Sequence, residues 1–170
     1  MSFRPRLAFG AALLCALAVP LHAQGQGTRL SPAERQELMS HRLTMDNVKK
    51  MVDASGKLSE LSQKDPKLGD VREGEEAKSL SELVTKMEAL PPVKAAIASS
   101  GMTTRDYVLT MFELQMVHSA VALRQMGGDA AKGAEKLPVS AENVQFFTTH
   151  RTELDPLLKS MESDGSKGGE

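Results

Sequence analysis

Histidine and methionine are the residue types in this chain with the greatest potential for chemistry. Three of the four histidines, His41, His118 and His150, lie beyond residues 1–23, as do nine of the ten methionines. His41 and Met45 are spaced i,i+4, which places an imidazole and a thioether on one face of a continuous helix. These groups can bind haem iron or copper. His41, Met45, His118 and His150 are therefore candidate ligands.

A packing role explains the same residues without a ligand. Methionine commonly fills irregular gaps in helical cores, and a single histidine on a helix is usually hydrogen-bonded or half-exposed. The chain has no Cys-x-x-Cys-His sequence for covalent haem, no Glu-x-x-His pair for a di-iron site and no His-Glu-x-x-His sequence for zinc. The packing interpretation is favoured, and we predict no resident cofactor, with haem or copper as the alternative.

Sequence motifs of catalysis are also missing from the chain. There is no Gly-x-Ser-x-Gly sequence, no Ser-x-x-Lys in a suitable context and no glycine-rich loop after a strand. Glu113 is the one acidic residue in the middle of the most apolar predicted helix, on a narrow polar line with Asp106, Thr110 and Arg124. We interpret this line as the solvent-facing edge of the helix, and we predict no enzyme activity.

The N-terminal segment is typical of a secretory signal peptide. Arg4 and Arg6 precede an apolar stretch, Leu7–Val19, which is too short for a spanning helix of ~20 residues. A small residue, Ala23, precedes a polar sequence. We therefore predict that residues 1–23 are a signal peptide cleaved near Ala23, and that the mature protein is periplasmic or secreted.

Removal of this segment changes both the cysteine content and the charge. Cys15, the one cysteine, lies within the apolar stretch, so the mature chain has none and cannot form disulfides or thiolate metal sites. Loss of Arg4 and Arg6 leaves 21 − 2 = 19 basic against 22 acidic residues. No basic excess remains to attract nucleic acid, and no second segment suggests a membrane span. The expected partner is an unknown envelope protein or an apolar small molecule.

Composition and capping signals predict an all-α fold. Aromatic residues make up 4% of the chain, and the β-branched and aromatic residues that favour strands are scarce. Ser31, Ser79, Thr103 and Ser140 are predicted helix N-caps, and Gly101 a left-handed helix stop. The predicted helices are one long helix over 31–63, a short pair over 80–90 and 92–99, a central apolar helix over 104–126 and a final helix over 140–162, with a loop between the last two.

Three long helices and one short pair indicate a small bundle of roughly four-helix type. The predicted organisation is a signal peptide (1–23), a short flexible leader (24–30), the bundle (31–162) and a disordered tail (163–170).

Three segments carry a resemblance to a known group of proteins. Residues 101–110, Gly-Met-Thr-Thr-Arg-Asp-Tyr-Val-Leu-Thr, the later segment 139–144 and the turn Lys64-Asp65-Pro66 are similar to those of a family of exported α-helical bacterial proteins. The similarity covers about residues 31–160. The family has no assigned activity, so the resemblance implies export and a helical fold but transfers no functional residue.

Two hypotheses about function follow from the sequence. The first is a non-catalytic exported module that binds a partner. The alternative is a periplasmic haem- or copper-binding bundle, which requires at least two of His41, Met45, His118 and His150 to converge on one point.

Overall fold

The computed structural model describes residues 30–65, 68 and 77–165, with side chains to residue 160. The predicted signal peptide, almost all of the leader, and residues 166–170 of the tail lie outside this range. Within it every regular element is a helix: α1 (Pro32–Ser40), α2 (Met45–Lys64), α3 (Leu80–Glu88), α4 (Pro91–Ser99), α5 (Thr104–Met126), α6 (Gly128–Ala134), α7 (Ala141–Thr149) and α8 (Arg151–Gly165). The predicted all-α class is confirmed.

The prediction of one long helix over 31–63 is wrong. The chain leaves the helix after Ser40, and α2 begins at Met45 with Thr44 as its N-cap. The Thr44 side chain accepts from the Asn47 amide at 3.2 Å, and the Asn47 side chain accepts from the Thr44 amide at 2.8 Å. This reciprocal capping box defines a second helix start inside the apolar stripe. We call residues 41–44, between α1 and α2, the junction.

The C-terminal third also contains more helices than predicted. The expected final helix divides at His150 into α7 and α8, and α8 runs on to Gly165, past its expected end at 162. The expected loop contains α6, which follows a sharp turn at Gly127 and Gly128. Both glycines have positive φ, 71° and 58°, which favours glycine over other residues.

Helix α5 lies at the centre of the fold, as its apolar pattern predicted. It packs against α1, α2, α3, α4, α6 and α7. Its Tyr107, Leu114 and Val117 are buried together with Phe147 of α7 in one core. A helix that is apolar on most sides needs such cover, since burial of each large apolar side chain stabilises the fold by ~1.5–3 kcal/mol.

Glu34 joins the start of α1 to the start of α3. One carboxylate oxygen accepts from the Ser31 amide at 2.9 Å, and the other accepts from the Ser81 amide at 3.0 Å. Burial raises the pKa of Glu34, but these backbone hydrogen bonds and the Ser31 and Ser81 side chains outweigh it and hold the pKa at about 2. The carboxylate thus caps two helices at once.

Candidate functional site

The proposed pairing of His41 with Met45 depends on a continuous helix, and that helix is interrupted. His41 is the C-cap of α1 and Met45 is the first residue of α2. The i,i+4 argument for these two residues is therefore wrong. The half-buried His41 ring instead approaches α5, with its Nε2 atom 2.9 Å from the Thr110 hydroxyl.

The other two histidines have different neighbours. His118, in the middle of α5, is exposed, and its ring centroid lies 5.6 Å from that of Phe147. His150 lies at the turn between α7 and α8, with its ring 4.8 Å from Phe146 and its Nδ1 3.3 Å from a Glu153 oxygen. Within the part of the chain that the structure describes, no group of three or more His, Cys, Asp or Glu side chains is placed to hold a metal ion.

Thr110 and Glu113 are buried, and their assignment to a solvent-facing edge is wrong. Both side chains are 0% exposed. Asp106 and Arg124 are exposed at the two ends of the same line. Other elements cover the middle of the line, because the junction contacts it at Thr110 and α7 contacts it at Glu113.

Asn143 connects Glu113 to the junction. Its Nδ2 donates to Glu113 Oε1 at 2.7 Å and to the carbonyl of His41 at 2.7 Å. Its Oδ1 accepts from the Leu43 amide at 2.9 Å. Asn143 is 1% exposed; its bonds to Glu113 and Leu43 are buried, and its bond to the His41 carbonyl is partly buried. We call His41, Thr110, Glu113 and Asn143 the polar cluster.

Local sequence explains how α7 presents Asn143. Ser140 is the N-cap of α7, and its hydroxyl accepts from the Asn143 amide at 3.1 Å. This fixes Asn143 in the first turn, where its side chain reaches both α5 and the junction. The Ser140 cap was predictable from the sequence, whereas the contacts of Asn143 were not.

The Glu113 carboxyl has one satisfied and one unsatisfied oxygen. Oε2 has no hydrogen-bond partner, and no lysine, arginine or histidine of the described residues forms an ion pair with the group. Burial raises the pKa of Glu113 above its usual range, although the Asn143 hydrogen bond and the Ser140 backbone oppose this. A buried carboxyl without a cation favours the protonated form.

The pKa of His41 is shifted so that the neutral imidazole is favoured. Burial lowers the pKa of His41, and the charges of Asp106 and Glu37 act in the opposite direction. The Glu37 charge is itself compensated by Arg105, whose Nε donates to a Glu37 oxygen at 2.6 Å. The two titratable groups of the polar cluster, His41 and Glu113, are therefore each shifted in pKa towards the neutral form.

A second surface feature lies on the C-terminal half of α5. The side chains of one face, within about 100° of the helix circumference, carry no charge. We call this the open face; it consists of Met111, Gln115, His118, Ser119, Ala122 and Met126. All are exposed except Met111, which is half-buried, and Met126 is 75% exposed.

No family model matches the chain, and no curated protein or solved structure is significantly similar to it. The resemblance to exported helical proteins therefore remains a hypothesis from the sequence. No helix in the described ranges is both long and apolar enough to cross a membrane.

Proposed function

We propose that this chain is an exported, non-catalytic binding module that docks on a partner protein through the open face. The observation that carries the proposal is the uncharged, exposed surface of α5. We do not propose the haem or copper function, because no contact among the described residues favours it. Export is supported by the composition of residues 1–23, with the positive start, apolar stretch and small residue of a signal peptide.

The open face continues a strip that is buried elsewhere in the fold. Thr104 and Val108 lie on the same side of α5 and are covered by the bundle. From Gln115 to Met126 the strip emerges uncovered. An exposed helix face normally carries charged residues, and their absence here suggests that the surface meets another protein.

The chemistry and size of the open face restrict the partner. The open face has no lysine, arginine, aspartate or glutamate, so it lacks the residues that form ion pairs with a polyanion or with a charged protein surface. Met111 to Met126 spans about 22 Å at 1.5 Å per residue. A strip of that length and about 10 Å width is roughly 200 Å², far below the ~800 Å² per partner of a stable flat dimer. A convex helix ridge of this kind suits an uncharged groove on a different protein.

Site-specific photo-crosslinking in producing cells tests this proposal. A photoreactive benzophenone side chain is placed at Ser119, in the open face, and in a second strain at Ala95 of α4, which is also exposed. We expect a discrete adduct from Ser119 and none from Ala95, with the adduct identified by mass spectrometry.

Three other outcomes would contradict the proposal. Equal adducts at Ser119 and Ala95 would show nonspecific proximity. A Ser119 adduct with a second copy of this chain would show that the open face mediates self-association and does not bind a different protein. If neither strain gives an adduct although the cells export the protein normally, the open face is not a docking surface.

A further inference from the structure

We propose that Glu113 is a proton-binding site that controls how firmly the junction between α1 and α2 is held. The geometry consists of a fully buried carboxyl, an unpartnered Oε2 atom and an amide side chain that links the carboxyl to backbone groups on both sides of Arg42. The bound species is a proton from solvent. This inference is independent of the proposed docking function.

Asn143 transmits the state of Glu113 to the junction. Both Nδ2 hydrogens are used, one by Glu113 Oε1 and one by the His41 carbonyl. The amide is therefore held in one orientation, and its Oδ1 accepts from the Leu43 amide. A movement of Glu113 that pulls on Asn143 disturbs the hydrogen bonds of both His41 and Leu43.

In this buried site the ionised Glu113 carboxyl has a higher free energy, relative to water, than the protonated carboxyl. With the proton on Oε2, Oε1 still accepts from Asn143 and the carboxyl is neutral. Loss of that proton to solvent leaves a buried negative charge that is stabilised by the Asn143 amide and the Ser140 backbone but by no cation of the described residues. An unpaired buried charge is much more costly than a neutral acid, so the ionised state favours opening of the junction to water.

The surrounding groups supply no compensating positive charge. From α7, Glu113 meets the neutral Asn143 amide and the Ser140 backbone. At the junction the His41 ring bonds to Thr110 instead. No described lysine or arginine of α2, α3, α4 or α6 forms an ion pair with Glu113, and none from α1 or α8 does.

The charged groups at and around the junction make contacts of their own. Arg42 of the junction pairs with Glu142 of α7 at 3.4 Å, and both side chains are exposed. Asp106 and Glu37 act on the charge of His41, and Arg105 pairs with Glu37. These contacts do not include the Glu113 carboxyl.

Glu113 and His41 have opposite pH dependences, which separates their effects. The raised pKa of Glu113 gives stability that is full below the ordinary value of 4.5 and is lost as pH rises through the folded-state pKa. The lowered pKa of His41 gives stability that is full above 6.5 and is lost as pH falls. Loosening of the junction with rising pH therefore reports Glu113 and not His41.

Amide hydrogen exchange of the full mature chain, followed by NMR between pH 4.5 and 8.5, measures the effect. After correction for intrinsic exchange, we expect the protection of the Leu43 amide to fall as pH rises through the raised pKa of Glu113. The Leu83 amide, bonded to Ser79 in α3, should keep its protection. Thr110→Val, which removes the His41 contact, should retain the fall.

Two further measurements keep the proposal falsifiable. In Glu113→Gln the fall of Leu43 protection with rising pH should disappear, and any remaining pH dependence should have the opposite sign, that of His41. In the wild-type chain, the side-chain carboxyl carbon of Glu113 should titrate over the same pH range as the Leu43 protection, which needs no folded variant. Any of three results would overturn the proposal. They are Leu43 protection that is the same at pH 4.5 and pH 8.5, a fall in Glu113→Gln equal to that of the wild type, and a Glu113 carboxyl that titrates at its ordinary pKa.

Discussion

Replacement of Asn143 by alanine removes three hydrogen bonds in one step, two of them buried and one partly buried. The groups left without partners are Glu113 Oε1, the Leu43 amide and the His41 carbonyl. Glu113 and Leu43 are 0% and 3% exposed, so water cannot replace Asn143 there without a structural change. His41 is half-buried, and its carbonyl is more easily hydrated.

The expected magnitude follows from these exposures. Each buried polar group left unsatisfied costs ~1–3 kcal/mol. Two such groups lower the free energy of unfolding by ~2–6 kcal/mol, and the His41 carbonyl, which water can partly satisfy, adds a smaller loss. This is a large part of the ~5–15 kcal/mol that holds a typical domain together. We therefore expect Asn143→Ala to be marginally folded.

Urea unfolding monitored by circular dichroism provides the assay, with Asn47→Ala as the control. Asn47 also bonds to the junction, through the Thr44 amide and the Arg42 carbonyl, but these bonds are solvent-exposed. Its loss should cost ~1 kcal/mol, the usual value for a helix cap. Equal costs for the two variants, or a loss below about 1 kcal/mol for Asn143→Ala, would refute the reasoning that the polar cluster is a buried, cooperative unit.

Further predictions concern helix ends. Glu34→Gln should lower the free energy of unfolding by ~1–2 kcal/mol at pH 7, because two charge-assisted caps are weakened. Since the pKa of Glu34 is about 2 in the folded chain, urea titrations should show the difference from wild type shrinking as pH falls from 4.5 towards 2. A difference that stays constant with pH would contradict this prediction. Gly128→Ala should lower stability by ~1 kcal/mol, because Gly128 has φ 58°. Gly133→Ala in the same helix, where an added Cβ meets no atom within 4 Å, should be neutral or stabilising in thermal melts; equal effects of the two changes would argue against the left-handed turn.

Local signals in the sequence predicted much of the helical framework. The N-caps Ser31, Ser79, Thr103 and Ser140 all accept the backbone hydrogen bonds expected of them. Gly101 has φ 76°, as expected for a left-handed helix stop. These features depend on residues that are only three or four positions apart in the chain. They can therefore be predicted from the sequence without knowledge of the fold.

The break between α1 and α2 was missed although it has a local signal. Leu38, Met45 and Val48 continue a helical apolar pattern across the junction, and this periodicity outweighed the Thr44-x-x-Asn47 capping box. The pattern persists because both helices bury their apolar side against the same core. Apolar periodicity alone therefore cannot distinguish one long helix from two.

The polar cluster could not be predicted because its contacts are distant in the chain. Asn143 bonds to a backbone amide 100 residues away, and to Glu113, 30 residues away. From the sequence, Glu113 and Thr110 share a line with the exposed Asp106 and Arg124. Only the packing of the junction and α7 against the middle of that line buries these two side chains.

The central claim is that the open face of α5 binds a partner protein, and affinity after charge insertion tests it most directly. Once the protein crosslinked at Ser119 is purified, its dissociation constant is measured by calorimetry for the wild type, for Ala122→Lys and for the control Ala95→Lys. Both alanines are exposed on helices, so both variants should keep wild-type stability within ~0.5 kcal/mol. We predict at least about tenfold weaker binding for Ala122→Lys, from desolvation of an unpaired charge, and unchanged binding for Ala95→Lys. Unchanged affinity in Ala122→Lys, or equal weakening in both variants, would contradict the account.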